Sequence, residues 1–341
     1  MSNKVGLVLS GGGAKGAYQV GVMRYLAESG MEVQAVAGAS IGALNGAVIA
    51  GSKSSKEAYL KLYDLWMELA NEPPLKINGT NVGSYLAYLL LMGSSRLTPT
   101  GALIFKLLKE QGYKYGKEYD FSLVKQEPIR MLIDKYTSYQ SLSKGKPLYV
   151  STYQTEGHFS DIVSAVRGII GFSETKESNF FHVQSFTENK QQDVIFASAA
   201  LPLLFEPQEI EGELYSDGGL GGWKKSQGNT PITPLIEDCG CSHIIVTHLT
   251  DGSAWDRYDF PNTTIIEVRP KIPISTESQI KDLLNFKASK INQLIEQGYE
   301  DAKRCIGNVE IAINLQEKSK VAINRRDSTI AMLDDGFNIG D

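Results

Sequence analysis

Short apolar runs alternate with helical spacings through the first fifty residues. Val5 to Leu9 is a continuous apolar run and predicts a buried strand. A glycine cluster follows. Ala17 to Glu28 then sets Val20, Met23 and Leu26 on one side and Arg24 and Glu28 elsewhere, which predicts a helix ended by Gly30. Val33 to Ala37 reads as a second strand, and Gly42 to Ala50 as a helix of small residues. A strand–helix–strand–helix opening predicts a parallel sheet flanked by helices, joined by right-handed crossovers.

Ser55 to about Leu142 reads as mostly helical, with breaks at Pro73-Pro74 and near Thr98-Pro99. Within it, Tyr85 to Met92 is unusually apolar. It is either a core helix or a lipid-contacting lid. Leu148 to Gln154 and Phe181 to Phe186 read as strands, Asp193 to Ala200 as a short helix, and Glu213 to Ser216 as a strand entering Asp217-Gly218-Gly219. His243 to Leu249 and Thr264 to Val268 are β-rich. Ile280 to Ile306 is amphipathic, with Leu283, Leu284, Ile291 and Leu294 on its apolar side. The tail after Asn308 is polar and mixed. These readings divide the chain into a domain over 5–250, with a helical insertion at about 71–145, and a region over 251–341 holding a strand, a long helix and the tail.

The 341 residues, 42% hydrophobic and 21% charged, provide for a sizeable core. A net charge of −5 argues against nucleic acid as partner, which usually meets a basic face. The three cysteines, Cys239, Cys241 and Cys305, are odd in number and lack zinc-ligand spacing, so no disulfide framework and no metal is expected. The first apolar run is too short for a signal-peptide core, and no stretch approaches the ~20 apolar residues of a membrane span. The expected location is cytoplasmic, with peripheral membrane contact left open.

Three stretches carry candidate chemistry. Gly38-Ala39-Ser40-Ile41-Gly42 matches G-x-S-x-G between a predicted strand and a predicted helix. A serine on that sharp turn is strained and exposes its hydroxyl, and Gly38 and Gly42 are needed where a Cβ would collide with neighbouring chain. Gly11-Gly12-Gly13-Ala14-Lys15-Gly16 follows the first strand directly. Its unobstructed amides form an anion-binding concavity fit for a developing oxyanion. Lys15 either adds positive charge there or braces the loop. Asp217-Gly218-Gly219 puts a carboxylate on an open turn, where it would accept the Ser40 proton. A dry pocket would raise its basicity.

The glycine cluster also fits the dinucleotide fingerprint G-x-G-x-x-G. That reading requires a carboxylate at the end of the second strand, where this chain has Ser40. The phosphate loop requires Gly-Lys-Ser/Thr, and Lys15 here precedes Gly16-Ala17. No cofactor is therefore expected.

In their order and spacing, the three stretches resemble the patatin-like phospholipase family, which carries a G-G-G-x-[K/R]-G loop, a G-x-S-x-G elbow and a D-G-[G/A] aspartate. Ala197-Ser198-Ala199-Ala200-Leu201-Pro202 and Asn229-Thr230-Pro231 are similar to two further family elements. The resemblance spans about residues 5 to 250. It implies a three-layer α/β/α sandwich with a mostly parallel central sheet. It also implies lipid acyl hydrolysis by a Ser40–Asp217 dyad with neither histidine nor metal, acting on a phospholipid or other acyl ester. Residues 75 to 143 carry no matching motif, so substrate preference stays open, as does oligomeric state.

Three alternatives remain open on sequence. A Ser-His-Asp esterase would draw its base from His243 or His248, although Ser40 comes early for that topology. A non-catalytic module would keep the fold without turnover. Acyl transfer would pass the acyl group to an acceptor other than water.

Overall fold

The computed structural model describes residues 4–72, 127–155, 177–200, 207–220, 227–249, 257–274, 282 and 285–308. The apolar segment Tyr85 to Met92 and the tail after Asn308 lie outside them. The opening unit forms as its spacing predicts: β1 (Val5–Leu9), α1 (Ala17–Glu28), β2 (Ala35–Gly38) and α2 (Ile41–Ala50). Helix α3 (Ser55–Asn71) follows, N-capped by Ser54, whose side chain accepts from the Glu57 amide. Helices α4 (Glu127–Tyr136) and α5 (Tyr139–Ser143) lead into β3 (Leu148–Thr155). After β4 (Asn179–His182) come α6 (Glu188–Ser198), β5 (Gln208–Ile210), β6 (Glu213–Asp217), α7 (Thr233–Glu237), β7 (His243–Thr247) and β8 (Thr264–Val268). Helix α8 closes the described chain at 288–308.

The strands form one sheet of order β5-β6-β3-β2-β1-β7-β8, with β4 also paired to β3. The run β3-β2-β1-β7-β8 is parallel throughout. The pairs β3–β4, β3–β6 and β5–β6 are antiparallel, so the sheet is mixed at one side. This matters for the site, because Asp217 ends an antiparallel strand. Strands β5 and β6 form a hairpin whose turn residues Glu211 and Gly212 both have positive φ, as a two-residue primed turn requires.

Alternation along the strands divides the core into two layers. Leu7, Leu9, Val36, Leu148, Val150 and Ile245 meet α1, α2, α3, α6 and α8 on one face. Val8, Ala35, Ala37, Ile244 and Val246 meet Ile232 and Leu235 beside α7 on the other. The parallel strands are thus apolar on both sides, as a sheet with covered faces demands. An α/β/α sandwich results.

Helix α8 packs on α1 where Gly21 faces Ile295 and Tyr299 and Gly298 faces Tyr18. The buried Tyr18 hydroxyl donates to Asp301 at 3.1 Å. With β8 paired to β7 and Ile291, Leu294 and Ile295 in the core, β8 and α8 pack as part of this sandwich. Among the described residues no helix is long and apolar enough to cross a membrane.

Several boundaries differ from the expectations. The helix expected from Ile280 begins at 288, with residues 285–287 outside any helix. The strand expected over Phe181 to Phe186 stops at His182, where a 3-10 turn (Val183–Ser185) begins. Gln184 there accepts the Leu148 amide at 3.0 Å, which satisfies β3 without further ladder. Helix α6 begins at Glu188, five residues before the expected start. Its first turns are polar and carry no apolar period.

Candidate active site

Strand β2 ends at Gly38 and α2 begins at Ile41, so the chain reverses within Ala39-Ser40. Ser40 pays for this with φ 54° and ψ −126°, a region in which a non-glycine residue is strained by about 1–3 kcal/mol. The surroundings hold it there. The Ala39 amide donates to Leu9 O at 3.0 Å, the Gly42 amide to Ala39 O at 2.8 Å, and the Ser40 amide to Ser198 Oγ at 3.1 Å. Gly38 and Gly42 face each other and the β1 backbone so closely that a Cβ on Gly38 would stand 2.7 Å from the Ala43 nitrogen. A serine preceding a helix ordinarily caps it with its hydroxyl. Here α2 has no side-chain cap, so the Ser40 hydroxyl is not spent on the helix.

Asp217 arrives from β6, opposite Thr152 of β3. Its carboxylate is buried, and Oδ1 accepts the Gly219 amide at 2.8 Å. Oδ2 is buried without a protein partner in good hydrogen-bond geometry. Burial pushes this carboxyl up to about 6. The Ser40 hydroxyl and the Gly219 amide pull the other way by favouring the charged form. The Ser40 hydroxyl therefore lies close enough to the Asp217 carboxyl to influence its titration. Gly218 packs against the Ser151 backbone, where no Cβ has room, and Ser178 Oγ donates to Gly218 O at 2.9 Å.

The glycine loop sits against Ser40. Its residues do unequal work. The Gly11 amide already donates to Asn229 Oδ1 at 2.9 Å, and a Cβ on Gly11 would stand 2.8 Å from the Ser40 Cβ. Gly11 is thus the point of close approach to the serine, and its N–H is engaged. No hydrogen bond within the described residues engages the Gly12 or Gly13 amide. Gly13 has φ 56°, a left-handed conformation that suits glycine. Lys15 is buried, with its stem beside Gly12, and its amide donates to Gly12 O at 3.2 Å. At Gly16 a Cβ would stand 2.7 Å from Ile41, so this glycine lets the loop pack on the start of α2.

The described histidines have other partners. His248 is fully buried and pairs through Nε2 with Glu267 Oε2 at 3.0 Å, on the neighbouring strand. Burial lowers its pKa, while Glu267 is held down to about 2, first by the His248 hydrogen bond. His243 contacts the Ser242 hydroxyl, and His182 stacks on Tyr149. None of these contacts involves Ser40 or Asp217. Among the described residues no group of three or more His, Cys, Asp or Glu is placed to hold a metal.

Two supporting residues have no role assigned by the sequence reasoning. Ser198 receives the Ser40 amide, and Asn229 receives the Gly11 amide while lying beside Gly219. Both stand in stretches noted for their resemblance, Ala-Ser-x-Ala and Asn-x-Pro. The signal was present, but its purpose needed coordinates.

The mixed α/β/α sandwich, with a strained serine on a strand-to-helix elbow, a carboxylate facing it and a glycine loop alongside, defines a class of nucleophile-elbow proteins. The patatin-like phospholipase family model matches residues 7–235, and the chain belongs to that family. It is 46% identical over 59 residues to patatin-like phospholipase domain-containing protein 7 of Mus musculus, covering 17% of this chain and 4% of that protein. It is 56% identical over 46 residues to lysophospholipase nte1 of Aspergillus terreus, covering 14% of this chain and 3% of that protein. The chain thus spans only a small part of these relatives' length. Among solved structures, VipD from Legionella pneumophila aligns with TM-score 0.39 at 15% identity, covering 90% of this chain and 67% of that one. The type III effector protein ExoU aligns with TM-score 0.42 at 15% identity, covering 90% and 53%.

Proposed function

We propose that this chain is a lipid acyl hydrolase in which Ser40 is the nucleophile and Asp217 its side-chain base. The observation that carries this reading is the meeting of the two side chains. A hydroxyl not used for helix capping faces a buried carboxyl whose pKa lies near 6. A base poised there is ionised at neutral pH yet more basic than an exposed aspartate.

Asp217 accepts the Ser40 proton as Oγ attacks the ester carbonyl carbon. The Gly12 and Gly13 amides stabilise the oxyanion, with the positive end of α2 beside it. When the tetrahedral intermediate collapses, the C–O bond to the leaving alcohol breaks. The alcohol departs with the proton held by Asp217, leaving an acyl-serine. Asp217 next takes a proton from water, hydroxide adds to the acyl carbon, and the carboxylic acid leaves as the proton returns to Ser40.

Family membership supports a lipid ester as substrate. The reading includes a cytoplasmic protein touching membranes peripherally, consistent with three free cysteines. The test is fluorophosphonate labelling of purified protein together with product analysis on a mixed phospholipid and lysophospholipid panel. Labelling at Ser40 and release of free fatty acid, both lost in Ser40→Ala, are expected. Folded protein that neither labels nor turns over would indicate a non-catalytic module, and acyl groups appearing on an added alcohol instead of water would indicate a transferase.

A further inference from the structure

Behind the glycine loop lies a chain of buried amides that the proposed chemistry does not use. Trp66 Nε1 on α3 donates to Asn45 Oδ1 at 3.0 Å. Asn45 Nδ2, on α2, donates to Gln19 Oε1 at 2.8 Å and to Gly16 O at 3.2 Å. Gln19 Nε2, on α1, donates to Ser10 O at 2.8 Å. All three side chains are buried.

The two carbonyls that end this chain bracket the loop. Ser10 O belongs to the peptide entering Gly11, and Gly16 O to the peptide leaving the loop. The entering peptide is held at both ends, because Gln19 donates to its oxygen and its N–H donates to Asn229 Oδ1 at 2.9 Å. A peptide plane fixed on both sides cannot rotate about its chain direction. That fixes where the next amides, Gly12 and Gly13, present their hydrogens. Every bond runs the same way, from the Trp66 N–H toward the loop carbonyls, so each amide polarises the next. Burying three polar side chains demands that they be satisfied, and an apolar core here would be the simpler way to stability.

We infer that Gln19, Asn45 and Trp66 are positioning residues that preset the glycine-loop amides for the oxyanion. This rests on the reading of the loop given under the proposed function. Trp66 also stacks on Phe286, with ring centroids 6.0 Å apart, so the device ties α1, α2, α3 and the segment before α8 to the loop.

The test compares Gln19→Met and Trp66→Phe with the parent, counting active sites by fluorophosphonate titration. Gln19→Met keeps the length of the side chain but cannot donate to Ser10 O. Trp66→Phe keeps an aromatic ring and removes the N–H together with part of the indole's bulk, so its melting temperature is measured alongside. For Gln19→Met, kcat per titrated site falls by ten- to a hundredfold, the scale of misplaced catalytic groups. KM and the acid limb of the pH profile stay unchanged. The inhibition constant of a trifluoromethyl ketone, which forms the oxyanion, rises in parallel with the loss in kcat/KM. Trp66→Phe shows the same pattern at smaller size. A merely structural role would lower the titrated fraction or the melting temperature and leave kcat per site intact.

Parent-like kcat per site in Gln19→Met overturns the inference. If that variant does not fold, the same result in Trp66→Phe does so. Full turnover in Ser40→Ala would instead overturn the proposed function itself.

Discussion

The Ser40 main-chain N–H donates to the Ser198 hydroxyl oxygen at 3.1 Å, across 158 residues of sequence. This bond joins the elbow to the end of α6 and helps hold Ser40 at positive φ. Replacing Ser198 by alanine leaves a buried amide unsatisfied, which costs about 1–3 kcal/mol. It also frees the elbow to relax. Ser198→Ala is expected to lower the melting temperature by several degrees and kcat by about tenfold or more, on the scale of a nucleophile displaced by a fraction of an ångström. Thermal unfolding and active-site-normalised kinetics check both. A variant with parental kcat would show that the strained turn holds without this bond.

The same residue marks where sequence reasoning runs out. The elbow was legible because its determinants are local: glycines at fixed offsets, a strand before and a small-residue helix after. Asp217 was legible for the same reason, as a carboxylate before two glycines at a strand end. Its antiparallel pairing to β3 was not, because that depends on the β5–β6 hairpin partner lying elsewhere in the chain. Ser198 and Asn229 stood in noted motifs, but their partners lie 158 and 218 residues away, and no local period encodes such contacts. Gln19 and Asn45 are polar residues on helices whose apolar spacing is satisfied without them, so nothing marked them as buried. Trp66 lies on the apolar stripe of α3 with Leu62, Leu65 and Leu69, and only the partner of its N–H was hidden. The Phe181 to Phe186 stretch misled because two aromatics at its ends suggest a strand. They pack edge to face across a turn instead.

His248 provides the sharpest contrast between a Ser–Asp pair and a histidine triad. It is fully buried, and its Nε2 faces Glu267 at 3.0 Å. His248→Gln is expected to keep kcat within a few-fold of the parent, with a stability loss on the order of 1–3 kcal/mol from the disturbed buried pair. A catalytic histidine would lose about a thousandfold or more. Steady-state kinetics on any ester that labels through Ser40 separates these outcomes, and a collapse in kcat with folded protein would restore the triad.

Helix α8 is held to α1 by shape before charge. Gly298 faces the Tyr18 backbone with no room for a methyl group, and the adjacent Tyr18 hydroxyl donates to Asp301 at 3.1 Å. Gly298→Ala must push the helices apart, because the obstacle is main chain and cannot rotate away. The expected loss is about 2–3 kcal/mol, typical of overpacking against an unyielding neighbour. An exposed helical control such as Lys303→Ala should change stability by less than about 0.5 kcal/mol. Urea unfolding of the two variants measures the difference, and equal midpoints would mean that α8 is not docked on α1 in solution.

Asp217 is expected to work against the stability of the protein it serves. Burial raises its carboxyl to about 6, so between the ordinary carboxylate value of about 4 and that pH the folded state binds a proton that the unfolded chain releases. Stability from this group is greatest below pH 4, declines as pH rises through that window and is level above it. A raised value near two units corresponds to on the order of 2–3 kcal/mol of destabilisation at neutral pH. Asp217→Asn removes the charge while keeping an acceptor for the Gly219 amide. It should therefore melt several degrees higher than the parent at pH 7.5, with the gap closing toward pH 4. Turnover has the opposite dependence, because the base must be ionised. Parental kcat/KM is expected to fall about tenfold per unit below pH 6 and to reach a plateau above pH 7, and Asp217→Asn should be inactive across the range. Scanning calorimetry and pH–rate profiles on the two proteins test this linkage together. An Asp217→Asn variant no more stable than the parent at pH 7.5, or a parental acid limb centred near pH 4, would mean that the carboxylate meets water in solution and is not the desolvated base that this geometry describes.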